Sequence, residues 1–117
     1  MTLQHVSLEV APADVPDELG FWALLGFAQV EPPGSLGERA AWVQRDGTQI
    51  HLLFAESPVV PPSGHAAVVA EDFEAAMTSL RDAGLNPEER TRHWGEARAF
   101  VQTPAGHVVE VMAAPPE

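Results

Sequence analysis

The beginning of the chain alternates between polar and apolar side chains. From His5 to Val10 the odd positions are polar and the even positions are apolar, a period of two that predicts a strand at about residues 3–10. Because successive side chains of a strand point to opposite faces, one face is predicted to be polar and the other to pack against the core.

A helix is predicted directly after this strand. Asp14 is its predicted N-cap, and Gly26 is predicted to follow its last turn, where a left-handed backbone is needed. Apolar residues recur between them at helical spacing and predict one buried stripe, formed by Val15, Leu19, Trp22 and Ala23.

Three further strands are predicted to complete the first half of the chain. They lie at about residues 28–31, 39–45 and 48–54. The dipeptide Asp46-Gly47, between the second and third of them, is a strong signal for a tight hairpin.

The second half repeats this order after a proline-rich connector at residues 55–64. Asp72 is the predicted N-cap of the second helix, and Gly84 follows its end. The predicted buried stripe of this helix is Phe73, Ala76, Met77 and Leu80. The strands are predicted at about residues 64–70, 88–92, 97–102 and 107–112.

The repeated order βαβββ predicts a single α+β domain, residues 1–117, built from two modules at about 1–56 and 64–114. A chain of 117 residues has the size of one domain and contains enough apolar residues for a core.

Four potential metal ligands occupy matching positions in the two modules. Sixty residues separate His5 from His65, and fifty-nine separate His51 from Glu110. A single histidine on a strand is more often a structural residue, but the common offset favours a shared centre of three imidazoles and one carboxylate. Such a set suits a divalent transition metal, which would also offset the desolvation of the carboxylate. His107 lies three residues from Glu110 and is therefore predicted to point to the other face.

Substrate-binding residues are predicted beside this centre. Arg98 and Phe100 share one face of a predicted strand and are expected to line the cavity, although Phe100 is equally compatible with a plain core position. Trp42 is expected to shape the mouth of the pocket, with a half-buried aromatic at the rim as the alternative.

Charge and composition exclude several classes of partner. The chain has 17 acidic residues, six arginines and no lysine, for a net charge of −11. Such a surface repels phosphate backbones and anionic membranes, so neither nucleic acid nor membrane is an expected partner. The chain has no cysteine, no long apolar segment and no leader pattern, which predicts a cytoplasmic protein without thiolate metal sites.

Four segments together have the pattern of a known family: Leu3–Leu8, Phe21–Phe27, Gly64–Val68 and Phe100–Val111. With them the chain resembles the vicinal oxygen chelate superfamily, which includes glyoxalase I, bleomycin- and fosfomycin-resistance proteins, methylmalonyl-CoA epimerase and extradiol dioxygenases. In one departure, Thr103–Gly106 stands where the family has an Asp-Pro-Asp-Gly turn. The resemblance implies that the two modules curl into an eight-stranded cup around a metal, often within a homodimer.

The superfamily's metal ligands correspond to His5, His65 and Glu110. His51 stands at a position that is commonly Glu or Gln in glyoxalases and is not a ligand in the fosfomycin-resistance branch. Because histidine also binds metals, all four residues are predicted ligands of one ion: zinc, nickel, manganese or iron. The resemblance further implies that Glu110 acts as the catalytic residue, taking a proton if it detaches from the metal.

The function implied is that of a glyoxalase-like metal-dependent enzyme, a lyase or isomerase that chelates a small substrate through two adjacent oxygens. Two alternatives stay open: an iron-dependent dioxygenase that uses His5, His65 and Glu110, and an antibiotic-binding resistance protein without chemistry. Apolar strand edges that need covering also predict a homodimer.

Overall fold

The chain divides into two compact units, Met1–Val60 and Pro61–Glu117. Both are described by a computed structural model that covers all of residues 1–117. Each unit contains one βαβββ module, so the predicted α+β class and the predicted repeat of elements are confirmed.

The first unit is a four-stranded sheet with one α-helix. Its elements are β1 (His5–Val10), α1 (Val15–Leu24), β2 (Ala28–Val30), β3 (Ala40–Arg45) and β4 (Thr48–Phe54). The strand order is β1-β4-β3-β2; β1 and β4 are parallel and the other pairs are antiparallel. Short 3-10 helices at Pro12–Asp14 and Gly34–Glu38 precede α1 and β3.

The second unit has the same topology. Its elements are β5 (Ala66–Val69), α2 (Phe73–Asp82), β6 (Glu88–Glu89), β7 (Arg98–Gln102) and β8 (Val108–Met112). The strand order is β5-β8-β7-β6, again with the first pair parallel. The strand predicted at residues 88–92 is shorter, since only Glu88 and Glu89 pair with β7.

Both helices end in the way that the glycines predict. Gly26 has a φ of 87° and Gly84 a φ of 84°, a left-handed backbone that favours glycine. After α1, Phe27 N donates to Trp22 O at 3.0 Å, and after α2, Leu85 N donates to Leu80 O at 3.0 Å. These bonds satisfy carbonyl groups that the last helical turn leaves unpaired.

The start of α1 was predicted correctly, but its buried face was predicted only in part. Asp14 occupies the N-cap position, but its side chain makes no capping hydrogen bond, because a 3-10 turn leads into the helix and gives Asp14 a helical backbone. Trp22 is buried as predicted, but Ala23 is exposed, and the other buried residues of this face are Glu18, Phe21 and Leu25. By contrast, Asp72 caps α2 by accepting a hydrogen bond from Ala75 N at 3.0 Å, as predicted.

The strands of each sheet turn one face towards the core of their unit. The opposite face, which carries the predicted ligands, is called the open face. In the second sheet, Val109 and Val111 of β8 are fully buried, and Ala99 and Val101 of β7 lie beside them on the same face. Residues at alternate positions, including Glu110 and its cross-strand neighbour Phe100, therefore lie on the open face.

Candidate metal centre

His65 and Glu110 face each other on the open side of the second sheet. Glu110 lies in the middle of β8, beside Ala67 of β5, and His65 immediately precedes β5. His65 Nε2 lies 3.2 Å from Glu110 Oε1. The glutamate is only 7% exposed, so its carboxylate is almost entirely removed from water.

The hydrogen bonding of His65 shows that this pair suits a cation. His65 Nδ1 lies 2.8 Å from the backbone oxygen of Ser63, and because a carbonyl oxygen only accepts, Nδ1 is the donor. In a neutral imidazole, Nε2 then presents its lone pair to the carboxylate of Glu110. Two facing acceptors require a proton or a metal ion between them. Two ligand atoms of a tetrahedral ion, each at about 2.1 Å, are separated by about 3.4 Å, close to the observed separation.

Arg98 holds the second oxygen of the same carboxylate. Its Nη1 donates to Glu110 Oε2 at 3.2 Å, and its Nε donates to Thr91 O at 2.8 Å. The guanidinium also lies over the rings of Phe100 and Trp94, at 5.3 and 5.8 Å from the ring centroids. Arg98, predicted from the sequence to bind substrate, therefore also contacts a predicted metal ligand.

Phe100 joins this pair to a cleft in the second unit. Its ring centroid lies 5.0 Å from that of His65. The cleft has a volume of about 470 Å³, and its lining includes Asn86, Glu88, Arg90, Phe100 and Gln102. This volume and this mixture of one aromatic with polar groups suit a small polar ligand.

In the first unit, His5 and His51 lie in a stack of three rings. The His5 and His51 rings are inclined by 14° with centroids 4.0 Å apart, and the His51 and Trp42 rings by 3° with centroids 3.9 Å apart. Strand register places them together, because Trp42 of β3 is the cross-strand partner of His51 in β4. His51 is 6% exposed, whereas His5 at the end of the stack is exposed.

The nitrogens of these two histidines have different partners. His5 Nδ1 bonds to Gln4 Oε1 at 2.7 Å, which leaves Nε2 for another ligand. His51 instead uses Nε2, which bonds to Gln49 Oε1 at 2.7 Å, and Gln49 in turn donates to Gln44 Oε1 at 2.7 Å. Burial lowers the pKa of the His51 imidazole, and the charge of a protonated His5 lowers that pKa further.

The structure thus brings the four predicted ligands together as two pairs, one in each unit. No group of three or more histidine, cysteine, aspartate or glutamate side chains that could hold a metal ion is present in the single chain. His107 is buried on the opposite face of the strand from Glu110, and its backbone N–H donates to Thr103 Oγ1 at 3.1 Å in the β7–β8 turn. Gln49 and the Ser63 carbonyl were not predicted as parts of the site, because their roles depend on the geometry of the histidine side chains that they contact.

Two βαβββ modules, each with imidazole groups on the open face of its sheet, define the class of protein to which this chain is similar. The chain belongs to the Glyoxalase/Bleomycin resistance protein/Dioxygenase superfamily, whose sequence profile matches residues 2–111. A comparison of the sequence with curated proteins gave no match.

Solved structures share the fold at low sequence identity. A glyoxalase family protein from Bacillus anthracis has a TM-score of 0.86 at 18% identity, covering 96% of this chain and 93% of that one. The fosfomycin resistance protein FosX from Listeria monocytogenes has a TM-score of 0.79 at 18% identity, covering 97% and 91%. An E126Q mutant of FosX, complexed with Mn(II) and 1S,2S-dihydroxypropylphosphonic acid, has a TM-score of 0.78 at 16% identity, covering 97% and 93%.

No helix of this structure has the length and apolar character needed to cross a membrane.

Proposed function

We propose that this chain is a glyoxalase-like, metal-dependent enzyme of lyase or isomerase type, acting on a small substrate with two adjacent oxygens. The observation that carries the proposal is the 3.2 Å contact between His65 Nε2 and Glu110 Oε1. When the imidazole is neutral, both are acceptor atoms, and they lie near the separation expected of two ligands to one tetrahedral ion. A similar fold in the FosX variant holds Mn(II) together with a vicinal dihydroxy compound, which supports the same kind of ligand here.

In this proposal His5, His65 and Glu110 bind the metal. His5 and His65 both engage an oxygen acceptor through Nδ1, an arrangement that fixes the tautomer of metal-binding histidines and directs Nε2 to the ion. A bound divalent metal would supply Lewis-acid polarisation of the substrate oxygens.

Residues around the proposed metal have separate tasks. Arg98 holds Glu110 Oε2 and so orients the other oxygen, Oε1, towards His65. Glu110 is also the proposed proton acceptor, because it is the cross-strand neighbour of Phe100, which lines the cleft. Phe100, and Trp42 from the first unit, are proposed to contact the apolar part of the substrate.

Metal removal tests the proposal. Turnover or binding of small ligands with vicinal oxygens, such as hemithioacetals and vicinal diols, is expected to disappear after EDTA treatment and to return when Mn²⁺, Ni²⁺ or Zn²⁺ is added. Binding of a cationic drug such as bleomycin is expected to be weak and to fade with salt, since it rests only on the net charge of −11. Tight drug binding that EDTA does not change would favour a resistance protein.

The iron-dependent dioxygenase is a second candidate, and the ring stack favours it. If His51 stays stacked between Trp42 and His5, the remaining ligands are two histidines and one carboxylate, the set used by non-haem Fe(II) oxygenases. Oxygen consumption by the Fe(II)-loaded protein with catechols would identify this activity, and its absence across a catechol panel would exclude it for those substrates.

We also propose a cytoplasmic homodimer, with each metal site built either within one chain or from two chains. Mixing His5→Ala protein with His65→Ala protein after reversible dissociation distinguishes these arrangements. If two chains share each site, random pairing restores about one quarter of the sites, because half of the dimers contain one intact site of two. If one chain builds the site, mixing restores no metal binding. A monomeric mass by light scattering at micromolar concentration would refute the dimer.

A further inference from the structure

The ring stack in the first unit sets a geometric limit on metal binding. A metal ion lies close to the plane of each imidazole that ligates it, at about 2.0–2.1 Å from the nitrogen. The His5 and His51 rings are inclined by only 14° with centroids 4.0 Å apart. Two planes so nearly parallel meet far beyond the length of a metal–nitrogen bond. In this arrangement His5 and His51 therefore do not ligate the same ion.

The nitrogen used for hydrogen bonding also distinguishes His51 from His5 and His65. His5 and His65, at matching positions of the two modules, each engage an oxygen through Nδ1. His51 engages Gln49 Oε1 through Nε2, and that glutamine continues the chain of bonds to Gln44. The edge of the His51 ring that carries Nε2 is thus part of a side-chain network on its own sheet.

Both faces of the His51 ring are also covered. The Trp42 ring is nearly parallel to the His51 ring and covers one of its faces, and the His5 ring covers the other. Since His51 is buried and His5 is exposed, the stack gives the exposed imidazole a flat, fixed surface on which to rest. Contacts of this kind restrict the rotamers of a ligand before the metal arrives.

We propose that His51 is a positioning residue and not a metal ligand: stacked on Trp42, it orients the His5 imidazole so that Nε2 is available to the ion. This inference rests on the proposed function, because it assumes that His5 ligates the metal. It assigns His51 a packing role that depends on its ring and not on its nitrogens.

Replacing the ring and removing the ring have different expected effects. His51→Phe keeps the stack and removes both nitrogens, whereas His51→Ala removes the stack. In titrations of the full-length protein with Co²⁺, followed by calorimetry and visible absorption, we expect His51→Phe to keep the wild-type affinity within about threefold. We expect His51→Ala to lose about 10- to 100-fold, the range for residues that orient metal ligands.

A second pair of variants gives the same comparison from the other end of the stack. Trp42→Phe is expected to keep the affinity, and Trp42→Ala to lower it by about tenfold, although Trp42 has no metal-binding group. Circular dichroism and urea unfolding of each variant check that it is folded. Equal, large losses in His51→Phe and His51→Ala would make His51 a ligand and overturn the proposal, as would wild-type affinity in His51→Ala and Trp42→Ala.

Failure of the proposed function has its own signature in these titrations. If the wild-type protein binds no Co²⁺, or binds it unchanged after His65→Ala, the metal centre itself is wrong. If His5→Ala and His65→Ala both abolish binding but the phenylalanine and alanine variants at position 51 do not differ, only the positioning role fails.

Discussion

Glu110→Gln is expected to lower the affinity of the protein for a divalent metal by about a hundredfold or more. The substitution keeps the size of the side chain but removes the charge, and a neutral amide is a poor ligand for the metals that imidazoles and carboxylates bind. It also removes the anion that Arg98 Nη1 contacts at 3.2 Å, so the side chain loses its orienting partner. Calorimetric titration with Co²⁺ and metal analysis of the purified protein measure the loss.

Glu89→Gln is the matched control for this experiment. Glu89 lies in the same sheet, is exposed, and forms an ion pair with Arg92 at 3.7 Å on the surface. Such pairs contribute little, so the control is expected to keep both metal affinity and stability. A Glu110→Gln protein that retains its metal content would contradict both the metal centre and the proposed role of Glu110.

Trp22→Ala is expected to destabilise the fold by about 3–5 kcal/mol. Trp22 is fully buried in α1, and its ring contacts Phe21 and Phe27 edge-on, in each case with centroids 5.2 Å apart. Removal of the indole leaves a cavity and also removes the contact with Phe27, which lies just after the end of α1. Urea unfolding monitored by circular dichroism measures the change in the free energy of unfolding.

Two further variants of α1 make this measurement specific. Leu24→Ala changes a residue that is 38% exposed, so we expect a loss of about 1 kcal/mol or less. Trp22→Phe is expected to cost less than Trp22→Ala, since it fills part of the cavity and removes the indole N–H, which has no hydrogen-bond partner. A loss below about 1 kcal/mol for Trp22→Ala would show that the core of this unit is not organised around the indole.

The elements that were predicted correctly are those with local signals. Gly26 and Gly84 follow their helices because a left-handed backbone is a property of the residue itself. Asp46 and Gly47 form the hairpin, with φ angles of 50° and 82°, for the same reason. The buried face of α1 was predicted only in part. Trp22 is buried as predicted, but Glu18 is fully buried as well, and hydrophobicity alone does not predict a buried carboxylate.

The candidate site divides in the same way between local and non-local causes. The offset between His5 and His65 reflects a repeated module, and a period of two places Glu110 opposite the buried valines of β8, so these features follow from the order of residues along the chain. The partners of each side chain depend on register between strands distant in sequence. Trp42 meets His51, and Phe100 meets Glu110, because β3 pairs with β4 and β7 with β8 in one particular alignment. A shift of one residue would move each side chain to the other face, and only the packing of the whole sheet selects the alignment.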